Sequence, residues 1–257
     1  MPNAELKTEI IDGVGVVSLN RPHRHNAITD ELYEELCEAL RTFLSDAHVR
    51  CVLLRGEGRS FCSGRDTAQL GQRAAGEDDF TFVLGHQRTR LEVIEARKPV
   101  VAAVQGYALG GGFEMALSAD IRIIADDAVL GLPEVGLGLV PDTGGTQLLP
   151  ALVGPSRAKY LVMSGERIDA ATAYDWGLAE EVVPAENLHE RALEFCRRLA
   201  AQPVLAMSMA KTLVNQSTVG QIRNGIAQEL LAQTALFTSD EYLEIKRRRS
   251  EASRKEH

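Results

Sequence analysis

The sequence lacks the features that mark several large classes of protein. No apolar run approaches the ~20 residues of a membrane span, and the first residues show no basic segment followed by an apolar one, as a secretory signal would. The four cysteines form no CxxC pair and the six histidines form no HExxH motif, so we expect neither disulfides nor a metal site. These absences favour a cytoplasmic protein without a bound metal.

Motifs for nucleotide binding and for serine hydrolysis are missing as well. Gly13-Val14-Gly15 and Gly56-Glu57-Gly58 both lack the third glycine of a dinucleotide-binding fingerprint, and no GxxxxGK(S/T) or GxSxG pattern occurs. The formal net charge is −8, and the basic residues are concentrated only in 246–257. Because an acidic body repels nucleic acid, we expect no nucleic-acid partner.

Aromatic residues make up only 5% of the 257 residues, so valine, leucine, isoleucine and alanine must form most of the core. Short apolar runs alternate with amphipathic segments, which predicts an α/β fold with buried, largely parallel strands. Strands are expected within 9–19 around the turn Asp12-Gly13, and at 49–54, 100–104, 121–125, 129–130 and 182–183. Helices are expected at 30–45 after an N-cap at Thr29, and at 80–95, 155–163, 170–176, 186–201, 203–215, 218–237 and 239–249.

The stretch Val100–Asp120 carries the clearest candidate site. Its apolar strand is followed by Gly110-Gly111-Gly112 and then by a helix that starts near Phe113. A glycine-rich turn at a helix start leaves backbone N–H groups available to bind an anion. Glu114 would then be an acid or base beside an oxyanion site. Alternatively, it is a carboxylate that the helix dipole favours in the first turn.

Two further segments contain residues that could carry chemistry. Ser63-Gly64-Arg65-Asp66 follows a strand and is expected to open a helix, either as a binding loop or as a turn capped by Asp66. Pro133-Glu134 and Asp142-Thr143-Gly144-Gly145-Thr146 lie in a long segment rich in glycine and proline. Long irregular segments are usually functional or disordered, and the apolar content of this one argues against disorder. Glu134 alone could equally be a surface carboxylate.

Taken together, these segments resemble the crotonase, or enoyl-CoA hydratase/isomerase, superfamily. The similarity extends over nearly the whole chain. Each segment is a weak match alone, and it is their order and spacing that make the resemblance specific. The residues that carry it are Arg21-Pro22, Asn26-Ala27, 61–66, 106–114, Ala119-Asp120, Pro133-Glu134, Pro141 and 144–147.

The resemblance implies a crotonase-like spiral of ββα repeats in residues 1–195, with a C-terminal helical region in 196–257 that builds homotrimers or hexamers. It also implies an acyl-CoA thioester substrate, so that coenzyme A is part of the substrate and no separate cofactor is needed. The backbone N–H groups of Arg65 and Gly111 would bind the thioester oxygen. The other residues expected around the substrate are Arg24, Ala27, Ser63, Gly64, Asp66 and Gly110.

The resemblance also assigns Glu114 and Glu134 to acid–base chemistry. In a hydratase, Glu114 would activate a water molecule and Glu134 would protonate C2. Their roles could overlap, because two neighbouring carboxyl groups titrate as a coupled pair. Isomerase members commonly use one carboxylate, so the presence of both favours an enoyl-CoA hydratase that acts on a trans-2-enoyl-CoA.

Two residues depart from the hydratase pattern. Arg65 stands where hydratases often have a small residue, and its side chain could shape the pocket or reach a charged group of the ligand. Asp142 stands where hydratases often have glycine. The Pro-Asp-x-Gly-Gly segment that contains it resembles some isomerase-like members of the superfamily, so an enoyl-CoA isomerase that uses Asp142 is the alternative. Capping the turn after Pro141 is the other role open to Asp142. A catalytically silent acyl-CoA-binding oligomer is a third hypothesis.

The acyl pocket itself is expected to involve residues 67–98, whose variable and mobile part would be Leu70–Gly76 and the acidic Glu77-Asp78-Asp79. A basic residue of the last helix, Lys246 or Arg249, would approach the CoA phosphates of its own or a neighbouring subunit's ligand. The resemblance does not define the acyl chain.

Overall fold

In this computed structural model, residues 4–73 and 76–255 are described, and for 252–255 only the backbone. The predicted mobile loop Leu70–Gly76 lies outside the described residues at positions 74 and 75, and so do the first three residues of the chain. Within the described part of the chain, no helix is long and apolar enough to cross a membrane.

The strands form two sheets. They are β1 (Leu6–Ile11), β2 (Val14–Leu19), β3 (Cys51–Gly56), β4 (Val100–Val104), β5 (Tyr107–Leu109), β6 (Ile121–Ala125), β7 (Val129–Gly131), β8 (Arg167–Asp169) and β9 (Glu181–Val183). In the described residues the larger sheet has the order β1-β2-β3-β4-β6-β9 and the smaller one β5-β7-β8. β1 and β2 are antiparallel across the predicted Asp12-Gly13 turn, and the other neighbours in the larger sheet are parallel.

The helices cover these sheets. They are α1 (Asp30–Ser45), α2 (Asp79–Ile94), α3 (Gly111–Ser118), α4 (Gly145–Ser164), α5 (Ala170–Asp175), α6 (Leu188–Ala200), α7 (Val204–Asn215), α8 (Val219–Leu236) and α9 (Asp240–Lys255). Thr29 caps α1 as predicted, because its Oγ1 accepts a hydrogen bond from Leu32 N at 3.2 Å.

Consecutive elements repeat as two strands followed by a helix. β4 joins the larger sheet, β5 joins the smaller one, and α3 follows directly. Isolated bridges between Ile28 and Arg65 and between Cys62 and Ala108 continue the smaller layer towards the first loops. The predicted α/β spiral of ββα units is therefore confirmed, and it brings the start of α3 beside the loop that contains Arg65.

The inner strands of the larger sheet are buried on both faces, whereas the edge strand β1 is largely exposed. β2, β3 and β4 are almost wholly inaccessible, as their continuous apolar sequences predict. On one face, α1, α3 and α4 contribute most of the apolar contacts. On the other face, α6 packs Leu188, Ala192 and Cys196 against Val16 and Leu53. This packing holds the loops at the ends of the strands in fixed positions.

The C-terminal helices behave differently from one another. The expected boundary between residues 195 and 196 falls inside α6, which packs on the sheet. α8 packs on α2 and α4, and so closes over the region where α3 begins. α7 has no buried residue and exposes apolar side chains that include Val204, Leu205 and Met209.

Three local predictions were wrong. No helix opens at Asp66 within 66–73, because its Oδ1 accepts a hydrogen bond from Ala68 N in a turn and its Oδ2 pairs with Arg21 Nη1 at 2.5 Å. α4 begins well before Pro155 and bends at Gly154. β5 and β8, each of three residues, were not predicted.

Candidate active site

The first two predicted segments meet at the N-terminus of α3. Gly111 is the first residue of this helix, so its N–H has no acceptor within the helix. Around Arg65, Ile28 N donates to Gly64 O and Asp66 N donates to Ile28 O, whereas Arg65 N donates to no acceptor among the described residues. Arg65 and Gly111 both line one cavity of about 400 Å³.

Glycine at two positions allows the two loops to come together. Gly64 has φ +91°, and a Cβ there would lie 2.7 Å from Leu109 O and 3.6 Å from Gly111 N. A Cβ at Gly112 would overlap the carbonyl oxygen of Cys62. Any larger residue would push the Arg65 loop away from α3. Glycine at these positions therefore keeps the N–H groups of Arg65 and Gly111 at the same cavity.

Glu114 lies in the first turn of α3 and is held by the turn that precedes α4. Its residue surface is only 2% exposed. Its Oε1 accepts hydrogen bonds from Thr143 N at 2.9 Å and Gly145 N at 2.8 Å, and its Oε2 accepts one from Thr143 Oγ1 at 2.7 Å. These three donors fix the orientation of the carboxylate at the cavity wall. A carboxylate has about four acceptor sites, so Glu114 can still accept one more hydrogen bond.

Glu134 begins the 3₁₀ turn Glu134–Leu137 after β7 and lines the same cavity. The residue is half-buried, but its Oε2 is shielded from solvent and has no hydrogen-bond partner among the described residues. Its Oε1 lies beside Gly110, where a Cβ would be 3.0 Å away. Burial, and then the charge of Glu114, raises the pKa of Glu134 well above its usual value, which favours the protonated acid.

Asp142 is a third carboxyl group at the cavity wall. Burial, followed by the charge of Glu114, raises the pKa of Asp142 to about 7, and a hydrogen bond with Gln233 opposes the rise. The charge of Glu114 therefore disfavours ionisation of both Glu134 and Asp142. Across the described residues, no group of His, Cys, Asp or Glu side chains could hold a metal ion.

Glu229, on α8, was missed by reasoning from the sequence. It is 4% exposed and accepts hydrogen bonds from Gly144 N at 2.8 Å, Thr146 N at 3.0 Å and Thr146 Oγ1 at 2.5 Å. Burial, and then the charge of Glu114, raises the pKa of Glu229 to about 8. The signal that could have revealed it is a single carboxylate on the apolar stripe that Ile222 and Ile226 begin.

Two more contacts join α8 to the same segment. Gln233 Oε1 accepts a hydrogen bond from Val140 N at 3.1 Å. Gln87 on α2 donates through Nε2 to Asp142 O at 2.7 Å and to Ile226 O at 2.8 Å. The segment that carries Asp142 is therefore held by side chains from both α2 and α8.

The structure brings most of the predicted site residues to the cavity, but not all of them. Those that line it are Ser63, Gly64, Arg65, Gly110, Gly111, Glu114, Glu134 and Asp142. Arg24, Ala27 and Asp66 do not line it. Arg24 is exposed, whereas Ala27 O and Asp66 Oδ2 both accept hydrogen bonds from Arg21 Nη1. Ala27 and Asp66 thus support the Arg65 loop from behind.

The Arg65 side chain forms part of the pocket wall. Its guanidinium carbon lies 4.5 Å from the ring centre of Phe82, and its Nη2 lies 2.7 Å from Asp30 Oδ1. The expected contribution from 67–98 also appears at the cavity. The residues of this range that line it are Thr67, Leu70, Gly71, Arg73, Phe82, His86 and Arg90.

The last helix reaches the same cavity. Arg249 lines it, and Lys246 Nζ donates a hydrogen bond to Gly71 O at 2.9 Å. Lys246 and Arg249 are the two basic residues predicted to approach the CoA phosphates. Lys246 is bound to the loop at Gly71, whereas Arg249 lines the cavity without this contact.

Comparison with known proteins agrees with this geometry. Residues 9–250 match the family model for enoyl-CoA hydratase/isomerase. The chain is 38% identical over 222 residues to a probable mitochondrial enoyl-CoA hydratase of Dictyostelium discoideum, which covers 86% of this chain and 79% of that one. It is 35% identical over 238 residues to the 1,2-epoxyphenylacetyl-CoA isomerase of Escherichia coli K12, with 90% of each chain covered.

A solved structure shows the same fold. The crystal structure of an enoyl-CoA hydratase from Mycobacterium avium subsp. paratuberculosis K-10 aligns with a TM-score of 0.86 at 30% identity, over 96% of this chain and 99% of that one. Hydratase and isomerase names both occur among the relatives, so the likeness identifies the family and leaves the reaction to be argued from the site. On the family match, the sequence identity and the shared fold, this chain belongs to the enoyl-CoA hydratase/isomerase family.

Proposed function

We propose that this protein is an enoyl-CoA hydratase that adds water across the double bond of a trans-2-enoyl-CoA thioester. The observation that carries the proposal is that Glu114 and Glu134 line one cavity together with Arg65 and Gly111, whose N–H groups donate to no acceptor among the residues that the structure describes. Hydration needs a base that takes a proton from water and an acid that gives a proton to carbon, and two carboxyl groups can divide these tasks. The name of the Dictyostelium relative supports the same reaction.

The two backbone N–H groups bind the thioester oxygen in this mechanism. Attack at C3 moves an electron pair towards that oxygen and creates an enolate. Arg65 N and Gly111 N stabilise the charge as it forms, and the second of these lies at a helix N-terminus, where the dipole favours an anion. Because backbone donors take up the charge, the proposed reaction uses no metal ion or redox cofactor.

Glu114 and Glu134 divide the proton transfers. The Glu114 carboxylate, oriented by Thr143 and Gly145, accepts a proton from the water whose oxygen bonds to C3. The protonated Glu134 gives its proton to C2 as the enolate collapses. Passing the proton from Glu114 to Glu134 then restores the starting state. The raised pKa of Glu134 supports its role as the acid.

A direct assay tests the proposal. Incubation with trans-2-enoyl-CoA esters of several chain lengths should remove the absorbance of the conjugated thioester and add the mass of one water. Glu114→Gln and Glu134→Gln should each abolish most of this turnover, and Glu190→Gln, an exposed change on α6, should not. Tight binding of acyl-CoA without hydration of any ester would contradict the proposal and support the silent binding protein.

The isomerase alternative has its own observation. Asp142 lines the cavity, and its pKa of about 7 suits a group that both takes and gives a proton near neutral pH. It would move a proton between C4 and C2 of a 3-enoyl-CoA without adding water. An isomerase predicts that Asp142→Asn reduces turnover more than Glu114→Gln, and a hydratase predicts the reverse order.

We propose as well that the protein assembles as a homotrimer or a pair of trimers through its C-terminal helices. The apolar side chains exposed on α7, which include Leu205, Met209 and Leu213, support a subunit interface there, because such a face is costly to leave in water. Light scattering should give a mass of three or six chains. Replacing Leu205 and Met209 with serine should lower it.

A further inference from the structure

Arg90 is a buried cation on α2 that the proposed reaction does not use. It lines the cavity and is only 7% exposed. Its single hydrogen bond within the described residues runs from Nη1 to Ser118 Oγ, at the long distance of 3.4 Å. Its Nε is inaccessible to solvent and has no partner. A guanidinium offers five N–H donors, so most of the donors of Arg90 are unused by the protein.

The other two arginines in this part of the cavity, Arg65 and Arg73, also have a buried Nε without a hydrogen-bond partner in the described part of the chain, but unlike Arg90 each has a carboxylate counter-ion. Arg65 Nη2 lies 2.7 Å from Asp30 Oδ1, and Arg73 Nη2 lies 2.7 Å from Asp79 Oδ1. A buried charge without a counter-ion is costly, and it is usually paired or placed to bind a ligand. Arg90 therefore has the properties of a residue whose carboxylate partner arrives with the substrate.

A structural role for Arg90 has one supporting contact. Ser118 is the last residue of α3, and a helix C-terminus attracts a cation. The Ser118 hydroxyl already donates to Met115 O at 2.7 Å, so it can only accept from Arg90. This single long contact leaves the remaining donors unpaired, and it predicts consequences for stability that differ from those of ligand binding.

The position of Arg90 suits the far end of an acyl chain. Its partner Ser118 follows Gly111, the oxyanion donor, by seven positions on α3, which is roughly 10 Å along the axis. An extended chain advances roughly 1.2 Å per bond, so about eight bonds span this separation. The wall of the same cavity includes Leu36 and Met115, which suit the methylene groups of such a chain.

We infer that Arg90 binds a carboxylate at the far end of the acyl chain, so that the preferred substrates are enoyl-CoA thioesters of dicarboxylic acids. This inference rests on the proposed function, since it assumes that the thioester oxygen lies at Arg65 N and Gly111 N. A planar guanidinium can bind such a carboxylate with two parallel hydrogen bonds, which gives both affinity and selectivity.

Binding of unreactive ligands tests this inference without any turnover. Saturated acyl-CoA pairs of equal length, one ending in a methyl group and one in a carboxylate, would be titrated by calorimetry, with lengths that bracket the spacing above. We expect the carboxylate-ended ester to bind about tenfold more tightly or better in the wild type. In Arg90→Met this preference should disappear, and in Arg90→Lys it should return in part.

Arg88→Met provides a matched control, because Arg88 lies on the same helix but is exposed and does not line the cavity. It should keep the wild-type preference. Thermal unfolding without ligand separates the two roles of Arg90. If Arg90 serves the ligand, Arg90→Met should unfold at the same or a higher temperature, since it removes an unpaired buried charge.

Equal binding of the two esters by the wild type would overturn the inference, and so would a lower unfolding temperature of Arg90→Met with an unchanged preference. The outcome is independent of catalysis. A protein that prefers carboxylate-ended esters and hydrates none of their unsaturated forms would overturn the proposed function alone. One that hydrates methyl-ended esters and shows no preference would overturn the inference alone.

Discussion

Glu114 and Glu229 hold the same turn from opposite sides. The N–H groups of Thr143 and Gly145 point to Glu114, and those of Gly144 and Thr146 point to Glu229. The first turn of α4 thus gives its unpaired donors to two buried carboxylates, one from α3 and one from α8. This arrangement fixes the orientation of Glu114, the proposed base. It also fixes the position of Asp142, which directly precedes Thr143 in the chain.

Glu229→Gln is expected to weaken both stability and turnover. The amide keeps one acceptor oxygen and places an NH₂ group where Gly144 or Thr146 donates, so at least one buried donor loses its partner. The free energy of unfolding should fall by about 1–3 kcal/mol, and kcat should fall more than KM changes, because the orientation of Glu114 is disturbed. Denaturant titration and steady-state kinetics measure the two effects.

Wild-type stability and wild-type kcat in Glu229→Gln would show that the turn does not depend on this carboxylate. Glu190→Gln serves as the matched control, because it makes the same substitution on an exposed helix surface. Because it makes no contact with the turn, both measurements should stay at their wild-type values in that variant.

The pH dependence of stability follows from the raised carboxyl pKa values. Asp142 has a pKa of about 7 and Glu229 of about 8 in the folded protein, raised chiefly by burial, whereas free carboxyl groups titrate near about 4. The folded protein therefore holds protons that the unfolded chain releases. Their contribution to stability is complete below about pH 4 and is lost as the pH rises through about 7 to 8.

The measurement is the free energy of unfolding from denaturant titrations at several pH values between about 5 and 8. It should decline with rising pH in the wild type and decline less in Asp142→Asn, because an amide does not titrate. A free energy that rises over this range would contradict the raised pKa values.

Replacement of Gly64 is expected to reduce catalysis more than stability. Gly64→Ala would place a Cβ 2.7 Å from Leu109 O and displace Arg65 N, which should lower kcat by about 10²–10³-fold. Gly177→Ala is the control, because Gly177 also has a positive φ, of +78°, but a Cβ there meets nothing within 4 Å. It should reduce stability modestly and leave kcat unchanged. Equal kcat values for the two variants would refute the oxyanion role of the Arg65 loop.

Parts of the site that lie close together in the sequence could be predicted. Gly111 and Glu114 were found because a strand, three glycines and a helix start follow one another in a single stretch. The paired strands β1 and β2 were found from the Asp12-Gly13 turn, and α1 from its cap and its periodic apolar residues. In each case the local sequence alone determines the structure.

The contacts between distant segments could not be predicted in the same way. Nothing near Glu229 indicates that the turn before α4 will lie against it, because that contact depends on how α8 packs on α2 and α4. The same holds for Arg90, which reads as one more charged residue of α2 until the cavity is seen. The sequence predicts that Asp66 opens a helix, and this prediction was wrong because Asp66 pairs with Arg21 of a distant loop, a contact that the local sequence does not indicate.

Replacing Glu134 and Asp142 one at a time by their amides should distinguish hydration from isomerisation. Glu134→Gln should lower kcat/KM for hydration by about 10²–10⁴-fold, since an amide cannot supply the proton for C2. Asp142→Asn should have a smaller effect, because Asp142 gives no proton in the hydration sequence. The two variants would be compared on the same trans-2-enoyl-CoA, and a larger loss in Asp142→Asn would favour the isomerase.

The most direct measurement of the central claim is the fate of solvent oxygen. The wild-type protein would be incubated with a trans-2-enoyl-CoA and, separately, with a 3-enoyl-CoA in isotopically labelled water, and the products would be weighed by mass spectrometry. A hydratase that uses Glu114 and Glu134 predicts one labelled oxygen at C3 of the product from the 2-enoyl ester. The hydratase proposal would be contradicted if the 3-enoyl ester were converted to a conjugated product and neither substrate gave a product that contains labelled oxygen.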